Sequence, residues 1–262
     1  GLSPVFPVLV ILSLGSVPLH GRGCGSIVPS RKNIMPMSER AIDSKRLLAA
    51  AAADPLVVVE APTQPGFSRD RVSRSTLEAL RELSPALRER PKKRVRASLE
   101  AVLMLRDPRE GLEWWCGAGV LEALLPEVYA TVQFSPEDER RHKDVWEHTK
   151  QVVAQTPARL PVRWAALLHD IGKVETRTYT ADGRVQFLGH AEKGAALFRN
   201  LSRRLGFPRR LGGRVHFLIL KHLRANQYSR DWNDSAVRRF YRQVGDHLDD
   251  LLELSRGDIT TK

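Results

Sequence analysis

The sequence predicts a mainly α-helical protein that carries one small β-hairpin. After Ser75, apolar residues recur at intervals of three and four through most of the chain, which is the spacing of a buried helix face. One strong hairpin signal occurs, the turn dipeptide Asp182-Gly183 between residues 178–180 and 185–187. No internal repeat is present, so the pattern excludes a solenoid.

The composition is that of a globular chain with a surplus of positive charge. The 262 residues are 42% hydrophobic and 27% charged, which excludes wholesale disorder. The two cysteines, Cys24 and Cys116, are too few for a disulfide scaffold or a four-cysteine zinc site. Lys and Arg number 42 against 30 Asp and Glu, a net charge of +12. That surplus favours a polyanionic partner, although an Arg-rich genome would give the same balance.

The first quarter of the chain carries little pattern. Residues 8–17 form an apolar run like the core of a secretory signal, but no basic residue precedes it and it is too short to span a membrane. We therefore expect residues 1–37 to be a leader or a mis-started segment of a cytoplasmic protein. Residues 38–75 predict a linker region, with a short Ala-rich helix over 46–53 and an extended segment over 57–59.

Residues 76–130 predict a neck of short helices packed as a bundle. The first helix has leucines along one face, and Pro91 can open the second, because the first turn of a helix needs no N–H. The third, over 111–116, carries two tryptophans that we expect in the core. The fourth, over 120–125, ends at Pro126.

A boundary at residues 134–136 precedes a second helical unit, over residues 138–262, that contains the hairpin. Helical spacing resumes after the hairpin over 191–205, 213–223, 235–243 and 247–256.

The sharpest local string is LLHDIGK, residues 167–173. On a helix that begins near Val162, this string places His169 and Asp170 side by side at a buried helix end. An ionised Asp buried without a partner is strongly destabilising, and a metal cation is a natural partner for the pair. Gly172 lets backbone or ligand approach closely.

The other candidate ligands are weak when taken singly. His148 and His222 lie on apolar helix faces, where a histidine is usually a core residue, and His190 follows Gly189 at a helix start. Asp258 could be a solvated acid. Their order along the chain is more specific, because it runs His, His-Asp, His, His, Asp.

This order resembles the HD superfamily of metal-dependent phosphohydrolases, which is named for its His-Asp doublet. Further segments are similar to the body and HD region of bacterial CCA-adding tRNA nucleotidyltransferases of the poly(A) polymerase family. These segments are GLE at 111–113, GVL at 119–121, LPE at 125–127, HKDVWEHT at 142–149, FLGH at 187–190, SAVRRFYRQVG at 235–245 and SRGD at 255–258. The resemblance covers about residues 76–262.

The resemblance implies a divalent metal site whose ions are Mn, Ni, Co, Fe, Zn or Mg. The residues implied as ligands are His148, His169, Asp170 and Asp258 for a first ion, with Asp170 bridging to a second ion supported by His190 and His222. His169, Asp170 and Lys173 are the expected catalytic residues. Lys173 would contact the substrate phosphate, unless it is only a solvated helix end.

The expected activity is hydrolysis of phosphomonoesters, 2′-nucleotides or 2′,3′-cyclic phosphates. Nucleotide addition by this chain is not expected, because it needs an Asp-x-Asp pair for two metals and the sequence has none. The alternative is a non-catalytic, RNA-binding body fragment of a CCA-adding enzyme that acts in tRNA 3′-end processing. A nucleotide-signal hydrolase is a weaker third hypothesis.

The basic residues predict a surface for RNA or phosphate. Residues 201–224 contain seven Lys and Arg and no acid, and we expect this stretch beside the metal ligands. The candidate phosphate-binding residues are Arg203, Arg204, Arg209, Arg210, Arg214, Lys221, Arg224, Arg238 and Arg239. Such contacts would make tRNA binding salt-dependent and largely independent of sequence; solvated helix faces are the alternative.

Overall fold

The computed structural model describes residues 43–134, 144–226 and 232–261, and these are mainly helical, as predicted. The helices of the first range are α1 (Ser44–Ala53), α2 (Leu56–Glu60), α3 (Arg74–Leu83), α4 (Lys92–Leu103), α5 (Arg109–Gly117), α6 (Val120–Leu124) and α7 (Pro126–Val132). The later helices are α8 (Val145–Gln155), α9 (Leu160–Leu168), α10 (Lys173–Thr176), α11 (His190–Arg204), α12 (Arg209–Asn226), α13 (Asp234–Val244) and α14 (Leu248–Thr260). The predicted leader over 1–37 and most of the boundary at 134–136 lie outside the described residues.

The predicted hairpin is confirmed. Strands β1 (Thr178–Tyr179) and β2 (Val185–Gln186) pair antiparallel, with Tyr179 opposite Val185. Gly183 in the turn has a φ of +74°, a conformation that costs a glycine nothing. The hairpin leads directly into α11, so it fixes where that helix begins.

The predicted extended segment at 57–59 is wrong, because these residues belong to helix α2. A run of three valines suits a buried helix turn as well as a strand. Val58 and Val59 are fully buried, and their carbonyls accept the indole N–H groups of Trp114 and Trp115 at 2.6 and 3.1 Å. Those tryptophans are fully buried, as expected.

The segment over 38–75, expected to be a linker, is a packed part of the protein from Ser44 onward. Ala51 of α1 and Val58 and Val59 of α2 are buried in the same apolar core as the later helices. The helix predicted over 120–125 ends before Pro126, as expected, and Pro126 also opens α7 at a position where the missing N–H is harmless.

The neck packs against the second half of the chain through backbone carbonyls in the turn between α11 and α12. Arg96 of α4 is buried and donates to the carbonyls of Leu205 and Gly206. Arg204 pairs with Glu127 of α7 at 2.6 Å. Within the described ranges, no helix has the length and apolar character needed to cross a membrane.

Candidate metal centre

Five parts of the chain bring the six predicted ligands to one place. His148 lies on α8, whose start is fixed by the side chain of Asp144. His169 caps the C-terminal end of α9, and Asp170 follows it. The remaining ligands come from the first turn of α11, the last two turns of α12 and the last turn of α14, as His190, His222 and Asp258.

The six side chains form two groups of three, with the ligand-type atoms of each group within 4.8 Å of one another. The groups are His148, His169 and Asp258, and Asp170, His190 and His222. The carboxylate of Asp170 lies between them: its Oδ2 is 3.2 Å from Nε2 of His169, and its Oδ1 is 3.6 Å from Nε2 of His190. One oxygen of this carboxylate therefore faces each group.

The four imidazoles are all held by their Nδ1 atoms. In His169, His190 and His222, Nδ1 lies 2.7 to 2.9 Å from a main-chain carbonyl three residues earlier. A carbonyl oxygen can only accept, so each Nδ1 carries the proton. The Nδ1 of His148 lies 2.9 Å from the hydroxyl of Thr261, which itself donates to a main-chain carbonyl at 2.7 Å.

This anchoring turns four Nε2 lone pairs toward the carboxylates and toward one another. The Nε2 atoms of His190 and His222 are 3.2 Å apart, and Nε2 of His169 is buried with no hydrogen-bond partner among the described residues. Lone pairs that face each other and a carboxylate repel, unless a cation lies among them. Imidazole nitrogens and carboxylate oxygens are ligands of divalent transition metals, so these residues fit such an ion.

The charges of the cluster agree with this donor set. Burial, reinforced by His169, lowers the pKa of His222 to about 4, and burial also lowers the pKa of His190. Burial opposes the charged form of Asp170, but His169 and Lys173 hold its pKa well below the usual range. At neutral pH His190 and His222 are neutral and Asp170 is ionised, which is the state that binds a metal. Burial opposes the charged form of His169, but Asp170 and Asp258 raise its pKa, and a metal ion takes the place of a proton there.

The residues around the doublet explain its sequence context. A Cβ at position 172 would lie 2.1 Å from the main-chain oxygen of His190, so Gly172 is what lets α11 approach the doublet. Lys173 reaches the cluster, because its ammonium lies 2.6 Å from Oδ2 of Asp170 and its side chain is 21% exposed. Lys173 is therefore not a freely solvated helix end.

Two residues that support the ligands have no counterpart in the sequence-based prediction. Thr261 holds His148, and Asn226 donates to Oδ2 of Asp258 at 2.9 Å. Asn226 follows His222 by four residues and Thr261 follows Asp258 by three, so each shares a helix face or turn with a ligand. That spacing is the signal that could have found them.

Residues 144–252 match the HD domain family. The chain contains an HD domain. Such domains bind divalent metals, and five of the six clustered ligands lie within the match, while Asp258 lies just beyond it. Residues 71–131 match a second family, described as "Probable RNA and SrmB-binding site of polymerase A", which covers the helical neck.

Similar proteins of known function include two tRNA nucleotidyltransferases and a multifunctional CCA protein. The chain is 35% identical over 201 residues to the CC-adding tRNA nucleotidyltransferase of Thermus thermophilus, an alignment that covers 74% of this chain and 45% of the relative. It is 34% identical over 171 residues to the A-adding enzyme of Deinococcus radiodurans, covering 63% and 38%. It is 42% identical over 98 residues to the multifunctional CCA protein of an Azoarcus strain, covering 36% and 22%. The chain thus spans less than half the length of these relatives.

The basic stretch over 201–224 is only partly beside the metal ligands: Lys221 and Arg224 flank His222 on α12, but Arg203 and Arg209 lie far from the ligands, contrary to the prediction for the whole stretch. Thirteen residues separate Arg209 from His222 on α12, and thirteen separate His190 from Arg203 on α11. At about 1.5 Å per helical residue, each pair is about 20 Å apart. The turn between these helices therefore carries these two arginines, and the opposite end of the helix pair carries the histidines.

The predicted phosphate-binding residues also differ in their partners. Arg204 pairs with Glu127, and Arg214 pairs with the buried Asp250 at 2.5 Å, so both stabilise the fold. Arg238 is exposed and lies 3.8 Å from Asp234. Of the remainder, Lys221 is half-buried and the others are exposed, namely Arg203, Arg209, Arg210, Arg224 and Arg239.

Proposed function

We propose that the HD domain is a metal-dependent phosphohydrolase for phosphomonoesters and 2′,3′-cyclic phosphates of nucleotides or RNA ends. The observation that supports this proposal is the convergence of four imidazole Nε2 atoms and two carboxylates in a buried cluster. A purely structural role for so many buried polar groups would leave lone pairs facing one another without compensation.

Each ligand has a defined place in this proposal. His148, His169 and Asp258 would hold one ion, His190 and His222 a second, and Asp170 would contribute one oxygen to each. Bound ions supply Lewis-acid polarisation of the phosphoryl oxygen and acidify the attacking water. The Nδ1 bonds keep each imidazole oriented before substrate arrives, so little reorganisation is needed.

Lys173 would bind a substrate oxygen. Its ammonium lies at the edge of the cluster, beside Asp170, and is partly open to solvent. A phosphoryl group that enters from solvent brings negative charge to this ammonium, which can move from Asp170 to the phosphate over a short distance. The lysine would then hold the phosphoryl group in place and offset its charge.

The experiment is hydrolysis of 2′,3′-cyclic AMP and p-nitrophenyl phosphate by the purified full chain, with Mn, Ni, Co and Mg added singly. We expect metal-dependent turnover that falls at least about 100-fold in Asp170→Asn, a barrier increase of about 2.7 kcal/mol. Asp182→Asn is the matched control, because Asp182 is an exposed hairpin residue. No metal-dependent turnover, or equal turnover in Asp170→Asn and Asp182→Asn, would refute the proposal.

We further propose RNA, with tRNA as the first candidate, as the partner of the neck. The support is the match of residues 71–131 to a family described as a probable RNA-binding site and the similarity to two tRNA nucleotidyltransferases and a multifunctional CCA protein. An RNA-binding body without catalysis is the second candidate function. Salt-dependent tRNA binding with metal bound but no turnover of either ester would favour that second candidate.

A further inference from the structure

A basic pocket lies in the part of the helix pair that is nearer the α11–α12 turn than the metal ligands are. It has a volume of about 640 Å³ and lies between α11 and α12. The polar and small residues that line it are Arg199, Ser202, Arg203, Arg209, Gly213 and His216. Three arginines thus surround one cavity, and no acidic residue lines it.

The guanidinium groups of this pocket are not neutralised by acidic residues in the described parts of the chain, so they can bind an anionic ligand. Arg199, Arg203 and Arg209 are exposed, and none forms an ion pair with an acid in the described parts of the chain. The Arg203 guanidinium donates to the side-chain oxygen of Asn200 at 2.5 Å, which orients it without neutralising it. By contrast, Arg204 and Arg214 on the same helices are both paired with acids. Three arginines that form no ion pair with a described acid thus line this one pocket.

The floor of the pocket supplies polar groups and open space. The Nε2 of His216 is buried and, among the residues that the structure describes, has no hydrogen-bond partner. Burial lowers the pKa of His216, and Arg199 lowers it further, so at neutral pH the ring is neutral and serves as a hydrogen-bonding group. Nothing lies within 4 Å of where a Cβ of Gly213 would be, so a ligand can reach the helix backbone there.

We propose that this pocket binds a phosphate group of the backbone of a single-stranded RNA segment. Three guanidinium groups, a serine hydroxyl and a neutral histidine form a donor set for phosphate oxygens, which arginines bind through paired N–H groups. The choice of RNA rests on the proposed function; the binding of an anion rests on the pocket itself. Along the two helices the pocket residues lie about 9 to 20 Å from the metal ligands, from His216 at the near side to Arg203 and Arg209 at the far side.

The test is the affinity of the full chain for a fluorescent single-stranded RNA, measured by anisotropy from 50 mM to 1 M salt. The variants are Arg203→Gln, Arg209→Gln and Gly213→Glu, the last of which adds a carboxylate where space is open. Each lost phosphate contact should reduce the salt slope by about 0.7 and the affinity at 50 mM about eightfold. Arg184→Gln, an exposed hairpin arginine paired with Asp182, is the matched control.

The outcomes separate this inference from the proposed hydrolysis. The inference is supported if the pocket variants weaken binding by these amounts while Arg184→Gln does not and all melting temperatures agree within a few degrees. The inference is overturned if the pocket variants bind RNA as tightly as the wild type and the control do. It is also overturned if the wild type does not bind RNA. Because no hydrolysis is measured, the result is the same whether or not the metal centre turns over substrate.

Discussion

Replacing Thr261 by valine tests whether the anchoring of Nδ1 prepares the metal ligands. Thr261 is buried, and its hydroxyl accepts the Nδ1 proton of His148 at 2.9 Å. Valine has the same shape but no acceptor. Without that acceptor, His148 can move its proton to Nε2 and donate it to Asp258 Oδ1, which is 3.0 Å away. A metal must then displace this proton before it can bind.

The cost follows from the lost support. Loss of such an outer partner of a ligating histidine typically weakens metal affinity 10- to 100-fold, or about 1.4 to 2.7 kcal/mol. We expect this loss for Thr261→Val when Mn²⁺ binding is measured by competition with a fluorescent chelator. The melting temperature of the metal-free protein should stay nearly constant, because the shifted proton still has a partner.

The neighbouring Thr260 provides the control. Its hydroxyl bonds to Gln155 and to the carbonyl of Arg256, and it is exposed. Thr260→Val should change Mn²⁺ affinity less than twofold. The reasoning is refuted if Thr261→Val binds Mn²⁺ as tightly as Thr260→Val. It is also refuted if the loss of binding free energy in Thr261→Val is no larger than the loss of stability of the metal-free variant.

Three further predictions concern the fold and the metal. Gly172→Ala should lower the melting temperature and abolish Mn²⁺ binding, because its Cβ would overlap the main chain of His190; a protein that melts and binds like the wild type contradicts this. Arg96→Met should lower the free energy of unfolding in urea by about 1–3 kcal/mol, because it leaves two carbonyls of the α11–α12 turn unpaired. A loss no larger than that of the exposed Lys93→Met would show that this contact is dispensable. Mn²⁺ at 100 times its Kd should add about 2.7 kcal/mol of stability, read by thermal denaturation with and without chelator, and the gain should vanish in Asp170→Asn.

The helical class and the six candidate ligands could be predicted from the sequence because both depend on which residue types occur and at what spacing. The doublet at 169–170 breaks an apolar helix pattern, and the order of the other ligands along the chain is independent of loop geometry. The atoms that orient the imidazoles could not be read in the same way. Three of the four are main-chain carbonyls, which every residue has, and their position depends only on where each helix begins and ends.

The errors in the neck have a related cause. Three consecutive valines do not distinguish a strand from a buried helix turn. Tertiary contacts favour the helix, because the carbonyls of Val58 and Val59 accept the N–H groups of the two tryptophans. Pro126 has both roles that a proline can have at a helix boundary: it follows the end of α6, as predicted, and it also begins α7.

The basic stretch over 201–224 is close to the metal ligands in sequence, but its arginines at the α11–α12 turn are distant from them in space. This separation has a physical consequence. Lys173 beside the cluster is paired with Asp170, whereas unpaired arginines there would repel the cations that the histidines and carboxylates are arranged to hold. The α11–α12 pair instead places Arg203 and Arg209 about 20 Å along the helices from His190 and His222, which exceeds the screening length of about 8 Å at physiological salt. A site for a cation and a site for an anion can therefore coexist on the same two helices. An RNA bound by its backbone at the arginine end would extend to the metal end. The arginines that bind it would not weaken the affinity of the metal ligands for their ions.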